Sequence, residues 1–321
     1  MDNLTHSMLG AVLGQTGLKL KSGFGMAALI IGANLPDIDA TCTFLGTESL
    51  ALRRGITHGP IALVVLPLLL TTLLFWFDRW QERRGTRPVD RLPVHFVSLY
   101  TLAFIGTLSH PALDWLNSYG IRLLEPFSQR WYYGDALFII DLIMWTILIG
   151  GYVWSRRAEK REHPVWQERG RKVLMIATGY IVLNIGISAL AERMALGRVS
   201  REVGQVPSLI VANPIPLIFW QREMLWRSWD GRYGQYKFDI FELVGLVPRA
   251  HIAGTSYTGM EDPRVAEIVS RSAQAQYFLF WSRMPLVRFK PDGTLVLTDQ
   301  RFDNPLARGN FTVVVPPRKP E

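Results

Sequence analysis

A membrane-embedded all-α bundle of about six helices, the first two a short hairpin, followed by a small α+β extramembrane domain, is the architecture expected from three observations. The 321 residues are 49% hydrophobic and only 19% charged, whereas a soluble domain is nearer a quarter charged. The apolar residues cluster in charge-free runs instead of alternating with polar ones. The basic residues fall between those runs, as they do in membrane proteins with Lys/Arg-rich cytoplasmic loops. The composition excludes a disordered or low-complexity chain.

Taken in order, residues 3–18 and 22–36 carry no Asp, Glu, Lys or Arg. Both runs are short, and they read as a helical hairpin turning at Lys19, Lys21 and Gly23. A membrane-spanning helix needs about 20 apolar residues. The runs near 61–77, 96–113, 136–154 and 173–191 qualify, some with tilt. The N-terminus, Met1-Asp2-Asn3, lacks a basic n-region, so no cleavable signal peptide is expected.

Orientation follows from basic-residue placement. Segment 78–91 holds five Arg, segment 156–172 seven basic residues, and the hairpin turn two Lys. These three belong in the cytoplasm, which puts 114–135, both termini and the C-terminal domain outside. Arg53 and Arg54 are the exception, on the outer side. The formal charge of +8 is thus a topology signal. A nucleic-acid partner is not expected, because the basic segments are short cytoplasmic loops. Cys42 is the only cysteine, so no intramolecular disulfide forms.

The membrane-embedded domain is expected over 1–195 and the extracytoplasmic α+β domain over 196–321. In the latter, 215–226 and 236–247 read as strands joined by the turn-rich Asp230-Gly231-Arg232-Tyr233-Gly234. Residues 263–281 read as a helix with Asp262 at its N-cap and Pro263 at the first helical position. Residues 285–298 form a hairpin around Pro291-Asp292-Gly293, and 311–315 adds a further β-type run.

Ionisable residues inside a membrane are costly and are functional suspects by default. In the expected topology they gather on one face. Asp2 and His6 open the first helix; Asp37 and Asp39, in Asn34-Leu35-Pro36-Asp37-Ile38-Asp39, end the second. Thr57-His58-Gly59-Pro60 starts the third, Ser109-His110-Pro111-Ala112-Leu113-Asp114 ends the fourth, and Asp135 and Asp141 begin the fifth. Histidine with carboxylate is ligand chemistry for zinc or another borderline divalent ion. His110 and Asp114 are i,i+4 and share a helix face. Asp37 and Asp39 point to one side if the chain after Pro36 is extended, and two carboxylates so placed can bridge two metals. Each residue also has an ordinary reading: Asp2 as an N-cap, Pro-Asp-Ile-Asp as a helix stop, Asp114, Asp135 and Asp141 as partners of Arg122 or Arg130. His6, Asp39, His58, His110 and Asp114 together favour metal, with Asp2 and Asp135 as further candidates. His95, His163 and His251 lie apart.

The four ordered motifs Met1-Asp2-Asn3-Leu4-Thr5-His6, Asn34-Leu35-Pro36-Asp37-Ile38-Asp39, Arg54-Gly55-Ile56-Thr57-His58-Gly59 and Ser109-His110-Pro111-Ala112-Leu113-Asp114 resemble the YdjM-type family over about 1–195. Its members are bacterial inner-membrane proteins described as metal-dependent hydrolases, some as LexA-binding. The tail, with Asn213-Pro214-Ile215-Pro216-Leu217-Ile218-Phe219-Trp220, more weakly resembles the outer domain of longer YfhP-type members. The order His, Asp, His, His-x-x-x-Asp is also similar to the zinc-dependent phospholipase C and P1 nuclease superfamily. That likeness implies His6, Asp39, His58, His110 and Asp114 as zinc ligands. No later His and His-x-x-x-Glu completes a three-metal set, so one to three ions are conceivable and two are favoured, with Asp135 or Asp141 as substitutes.

The expected function is metal-dependent hydrolysis of a lipid or lipid-linked phosphoester at the outer membrane interface, with Asp37 as general base and Arg53 or Arg54 steadying the phosphate. The expected partners are membrane lipids. The alternative is a non-catalytic membrane regulator or scaffold, with a structural metal and an outer domain that binds a regulatory protein. A transporter ranks last, because the charges sit at helix ends and not near the bilayer midplane.

Overall fold

The computed structural model describes residues 1–304 and 308–318. In chain order the helices are α1 (Asn3–Gln15), α2 (Gly25–Gly32), α3 (Glu48–Leu52), α4 (Pro60–Arg83), α5 (Phe96–Trp115), α6 (Leu142–Lys160) and α7 (Trp166–Val203). Three-residue-per-turn helices cover Leu18–Lys21, Leu35–Leu45 and Ile56–His58. Strands β1 (Leu209–Pro214), β2 (Gln221–Arg227), β3 (Arg232–Asp239) and β4 (Ala253–Tyr257) follow. Helices α8 (Pro263–Ser270) and α9 (Ala273–Trp281) and strands β5 (Pro285–Phe289), β6 (Leu295–Asp299) and β7 (Thr312–Val315) close the chain. The described residues divide into two compact units, 1–38 with 54–186 and 216–219, and 39–53 with 187–215 and 220–321.

Among the described residues four helical stretches are long and apolar enough to cross a membrane: Gly25–Leu45, Pro60–Arg83, Phe96–Trp115 and Trp166–Val203. The expectation of about six bundle helices is thus supported as membrane spans for four stretches. Helix α1 has 13 residues, about 20 Å at 1.5 Å per residue, short of a ~30 Å hydrocarbon core. Helix α6 ends in Arg156, Arg157, Glu159 and Lys160, which leaves its uncharged part short as well. The expected hairpin is present, with α1 and α2 joined through Leu18–Lys21.

In the first unit α1 and α6 run side by side in the same direction. Trp145 Nε1 donates to Asp2 Oδ2 at 3.2 Å near one end, and Ser155 Oγ donates to Gln15 Oε1 at 3.0 Å near the other. One apolar core joins Met1, Val12, Leu113, Leu116, Met144, Leu148 and Val173; a second joins Leu29, Leu70, Leu99 and Leu102. Helices α1, α2 and α5 approach backbone to backbone at glycines. A Cβ on Gly10 would stand 2.7 Å from the Leu29 carbonyl oxygen, and one on Gly106 2.5 Å from that same oxygen. Small residues at helix contacts are how apolar helices associate in lipid, where hydrophobicity supplies no drive. Gly10 lies one turn after His6 and Gly106 one turn before His110, so these contacts set where the two histidines stand.

The second unit contains two antiparallel sheets, β1-β2-β3-β4 and β5-β6-β7. The expected α+β character is present, with three differences in detail. The run 236–247 is strand only to Asp239, because Asp239 then caps a tight helix over Ile240–Val244. The expected strand over 215–226 begins only at Gln221, and 209–214, the segment preceding it, is the strand β1. The single helix over 263–281 is two, because the Ser272 side chain caps Ala275 N–H and restarts the helix. Asp262 does cap α8, accepting from Arg264 N. The 285–298 hairpin pairs Leu286 with Thr298 and Phe289 with Leu295.

Candidate metal centre

The site is assembled inside the first unit from four chain segments. Helix α1 supplies His6, the helix Leu35–Leu45 supplies Asp37, the short helix Ile56–His58 supplies His58, and the last two turns of α5 supply His110 and Asp114. His6, His58, His110 and Asp114 are buried. Among the described residues, Asp37, His58, His110 and Asp114 each bring one ligand atom within 4.8 Å of all the others.

The donor geometry fits a metal ion. His110 Nδ1 lies 2.7 Å from the Ala33 carbonyl oxygen, a partner that can only accept, so Nδ1 carries the proton and Nε2 presents its lone pair. That Nε2 stands 3.6 Å from Asp37 Oδ1 and 3.6 Å from Asp114 Oδ2. His58 Nδ1 is 2.9 Å from Thr57 Oγ1, and its Nε2 is 3.6 Å from Asp114 Oδ2. These distances are long for hydrogen bonds. They are near the ~3.4 Å edge of a tetrahedron with zinc–ligand bonds of about 2.0–2.1 Å. Outer hydrogen bonds that fix the ring tautomer are a regular companion of metal-ligating histidine.

His6 flanks the group. Its ring stacks on His110 with centroids 3.8 Å apart, and its Nε2 is 3.4 Å from Asp114 Oδ1. Among the described residues neither ring nitrogen of His6 makes a side-chain hydrogen bond of ordinary length. Asp114 therefore addresses His58 and His110 through Oδ2 and His6 through Oδ1. The Met1 α-amine also contacts Asp114 Oδ1.

Arg54 is buried beside the site. Its Nε lies 2.9 Å from Asp114 Oδ2, its Nη1 donates to Asn117 Oδ1 at 2.8 Å, and its guanidinium covers the Tyr119 ring at 4.7 Å. Arg54 has φ 54°, in the left-handed region. Gly59, between His58 and Pro60, has no room for a Cβ, which would collide with the Glu125 carbonyl oxygen. The motif His58-Gly59-Pro60 thus combines a donor, a close approach and a helix start.

The remaining candidates are placed differently. Asp2 caps α1, accepting from Leu4 N and Thr5 N, the ordinary reading of that residue. Asp141 caps α6 through Met144 N and accepts from Tyr180 Oη at 3.0 Å. Asp135 is buried in the segment before α6 with φ 46° and is outside the group of four. Asp39 is buried too, in the second unit, and is also outside that group. The condition for Asp37 and Asp39 to point to one side, an extended chain after Pro36, is not met. The chain coils as a helix over Leu35–Leu45, and at three residues per turn Asp37 and Asp39 point about 120° apart.

Some contributors were not legible in the sequence. The Ala33 carbonyl, which orients His110, has no side-chain signature. Asn117 and Tyr119, which hold Arg54, lie just past Asp114 in a stretch with no motif. Thr57 was within the quoted motif, but its contact with His58 is a matter of geometry.

A family model for the YdjM inner membrane protein matches residues 1–195. Comparison with curated proteins and with solved structures finds no match, and nothing supports the likeness to zinc-dependent phospholipase C and P1 nuclease. The match covers more than half of the sequence and contains all four segments of the buried donor group, so the chain belongs to the YdjM inner membrane protein family.

Proposed function

We propose that the protein is a membrane-embedded metal-dependent hydrolase acting on a phosphoester carried by a lipid. The observation that carries this reading is the convergence of His58 Nε2 and His110 Nε2 on one buried carboxylate oxygen, each at 3.6 Å, with the opposite ring nitrogens already engaged. His58, His110 and Asp114 would hold the ion. A divalent ion held there, zinc foremost by donor type, would supply Lewis acidity and a lowered pKa for bound water. Asp37 belongs to the least enclosed side of the group, the one member not fully buried, and takes the proton from the attacking water. His6 with Asp114 Oδ1 offers donors for a second ion. Arg54 keeps Asp114 oriented; its contacts with Asn117 and Asp114 favour that role over direct phosphate binding.

A lipid substrate is supported by a cavity of about 360 Å³ in the same unit, lined chiefly by apolar residues including Leu9, Leu113, Leu116, Met144, Leu148 and Ile181. Leu9 is three residues from His6 and Leu113 adjoins Asp114, so donors and apolar lining share α1 and α5. The basic-residue pattern supports an outward-facing site and an extracytoplasmic C-terminal region.

The test is metal analysis of the purified full-length protein together with hydrolysis of phospholipid vesicles. Wild type is expected to retain zinc, manganese or iron, and His58→Ala and His110→Ala to lose it. Wild type without bound metal would overturn the proposal.

One observation favours the second reading, a structural metal in a regulator or scaffold. Four donors close a tetrahedral site, and catalytic sites keep one position open. Asp37→Asn separates the two: retained metal with lost hydrolysis identifies Asp37 as the base, and lost metal identifies it as a fourth structural ligand.

A further inference from the structure

We propose that the turn over Ile240–Val244 and the residues after it, to Leu246, form a monotopic anchor that dips into the lipid headgroup region beside the end of α7. On an ordinary soluble surface the acid would face water and the hydrocarbon would face in. Here the reverse holds. Phe241 and Leu243 are 42% exposed, Val244 70% and Leu246 74%, while Glu242 is only 7% exposed. The inversion is built in by the capping box. Asp239 accepts from Phe241 N–H, and the Glu242 carboxylate turns back to accept from Asp239 N–H at 3.4 Å. Once Glu242 is folded inward, its apolar neighbours must face out.

The location comes from the second unit itself. Arg198 of α7 lies 3.7 Å from Glu242 Oε2 and donates to the Ala250 carbonyl. The charge-free stretch of α7 ends at Ala191, and seven residues of helix are about 10 Å. The apolar turn is therefore bound to α7 roughly 10 Å past the end of a membrane-spanning segment, near headgroup depth. Arg249 is exposed just beyond the turn and suits anionic headgroups. Four large apolar side chains projecting from one short turn, with a basic residue at its edge, match an interfacial anchor. The surface this turn meets is that of the bilayer.

The experiment uses the full-length protein in liposomes, in a Cys42→Ser background. Nitroxide labels are attached at Leu246→Cys, at Leu243→Cys and, as a control, at Asp230→Cys. Asp230 is exposed at the opposite end of β3, roughly 25 Å away at ~3.3 Å per strand residue. Collision with oxygen and with a neutral water-soluble nickel chelate gives depth. The expected result is a Leu246 label about 5–10 Å below the headgroup surface, with the Asp230 label in water. Nickel accessibility at Leu246 and Leu243 equal to that at Asp230 would overturn the anchor. A short spin–spin distance between labels on two copies would overturn it in favour of self-association. Neither outcome bears on the metal site.

Discussion

The Asp114 carboxylate is buried among basic groups on both of its oxygens. Oδ2 faces His58, His110 and Arg54, and Oδ1 faces His6. Removing one partner of a buried ion pair leaves an uncompensated charge and typically costs about 3–5 kcal/mol. Arg54→Ala is therefore expected to destabilise the protein by that order, read as a loss of thermal stability in detergent. Thr57→Ala removes the hydroxyl 2.9 Å from His58 Nδ1 while the fold persists. Outer-shell losses of this kind lower metal affinity about 10–100-fold, which competitive chelator titration would measure. The residue types of the site were legible: four of the residues proposed from sequence converge, as His and Asp at helix ends suggested. Which of Asp37 and Asp39 joins them was not, because it depends on whether the chain after Pro36 is extended or coiled. Pro36 permits both.

Helices α1, α2 and α5 form the frame of the site, and their contacts rest on glycine. A side chain on Gly106 meets the Leu29 carbonyl, a backbone atom that cannot swing away. Gly106→Val is expected to push α2 from α5, move Asp37 away from His110, and lower bound metal and thermal stability together. Gly106→Ala is expected to do the same to a smaller degree. Spectroscopic metal content and a melting curve on the same sample would check both. Long apolar runs made α4, α5 and α7 legible, because charge-free length is the requirement lipid imposes. Short elements were less so. The apolar run through 240–247 resembles a strand in composition, but Asp239 and Glu242 close a capping box that ends β3. Residues 263–281 read as one helix because Ser272 is compatible with a helix interior and also with an N-cap.

The protein combines a membrane part with a sheet-bearing C-terminal part whose stability has its own source. Asp299 is fully buried in the latter. Burial alone would raise its pKa, but Arg301 grips both carboxylate oxygens at 2.8 Å, and Ser282 Oγ and Met284 N also donate, which holds it at about 2. A folded-state value below the ordinary 3.8 contributes stability above that pH, and the contribution is lost as pH falls from about 4 towards 2. Trp281, buried beside Arg301, is expected to report loosening of this region over that window in fluorescence, with little change between pH 5 and 7. Orientation is the remaining property of the whole chain. The basic segments 78–91 and 156–172 predict that a membrane-impermeant thiol reagent labels Asp230→Cys, in a Cys42→Ser background, from the outside of intact cells. Labelling only after lysis would reverse the topology.

Composition and the spacing of charges were enough for the membrane bundle, the α+β tail and the set of suspect His and Asp residues. These follow from the cost of placing charge and unpaired backbone in lipid, which one-dimensional order records. The tertiary structure decided which suspects meet. Selecting Asp37 over Asp39, aiming His110 Nε2 through the Ala33 carbonyl and turning Glu242 inward all depend on backbone atoms and helix phase. Backbone carbonyls are the same at every residue, so no residue letter encodes which of them will face a given side chain.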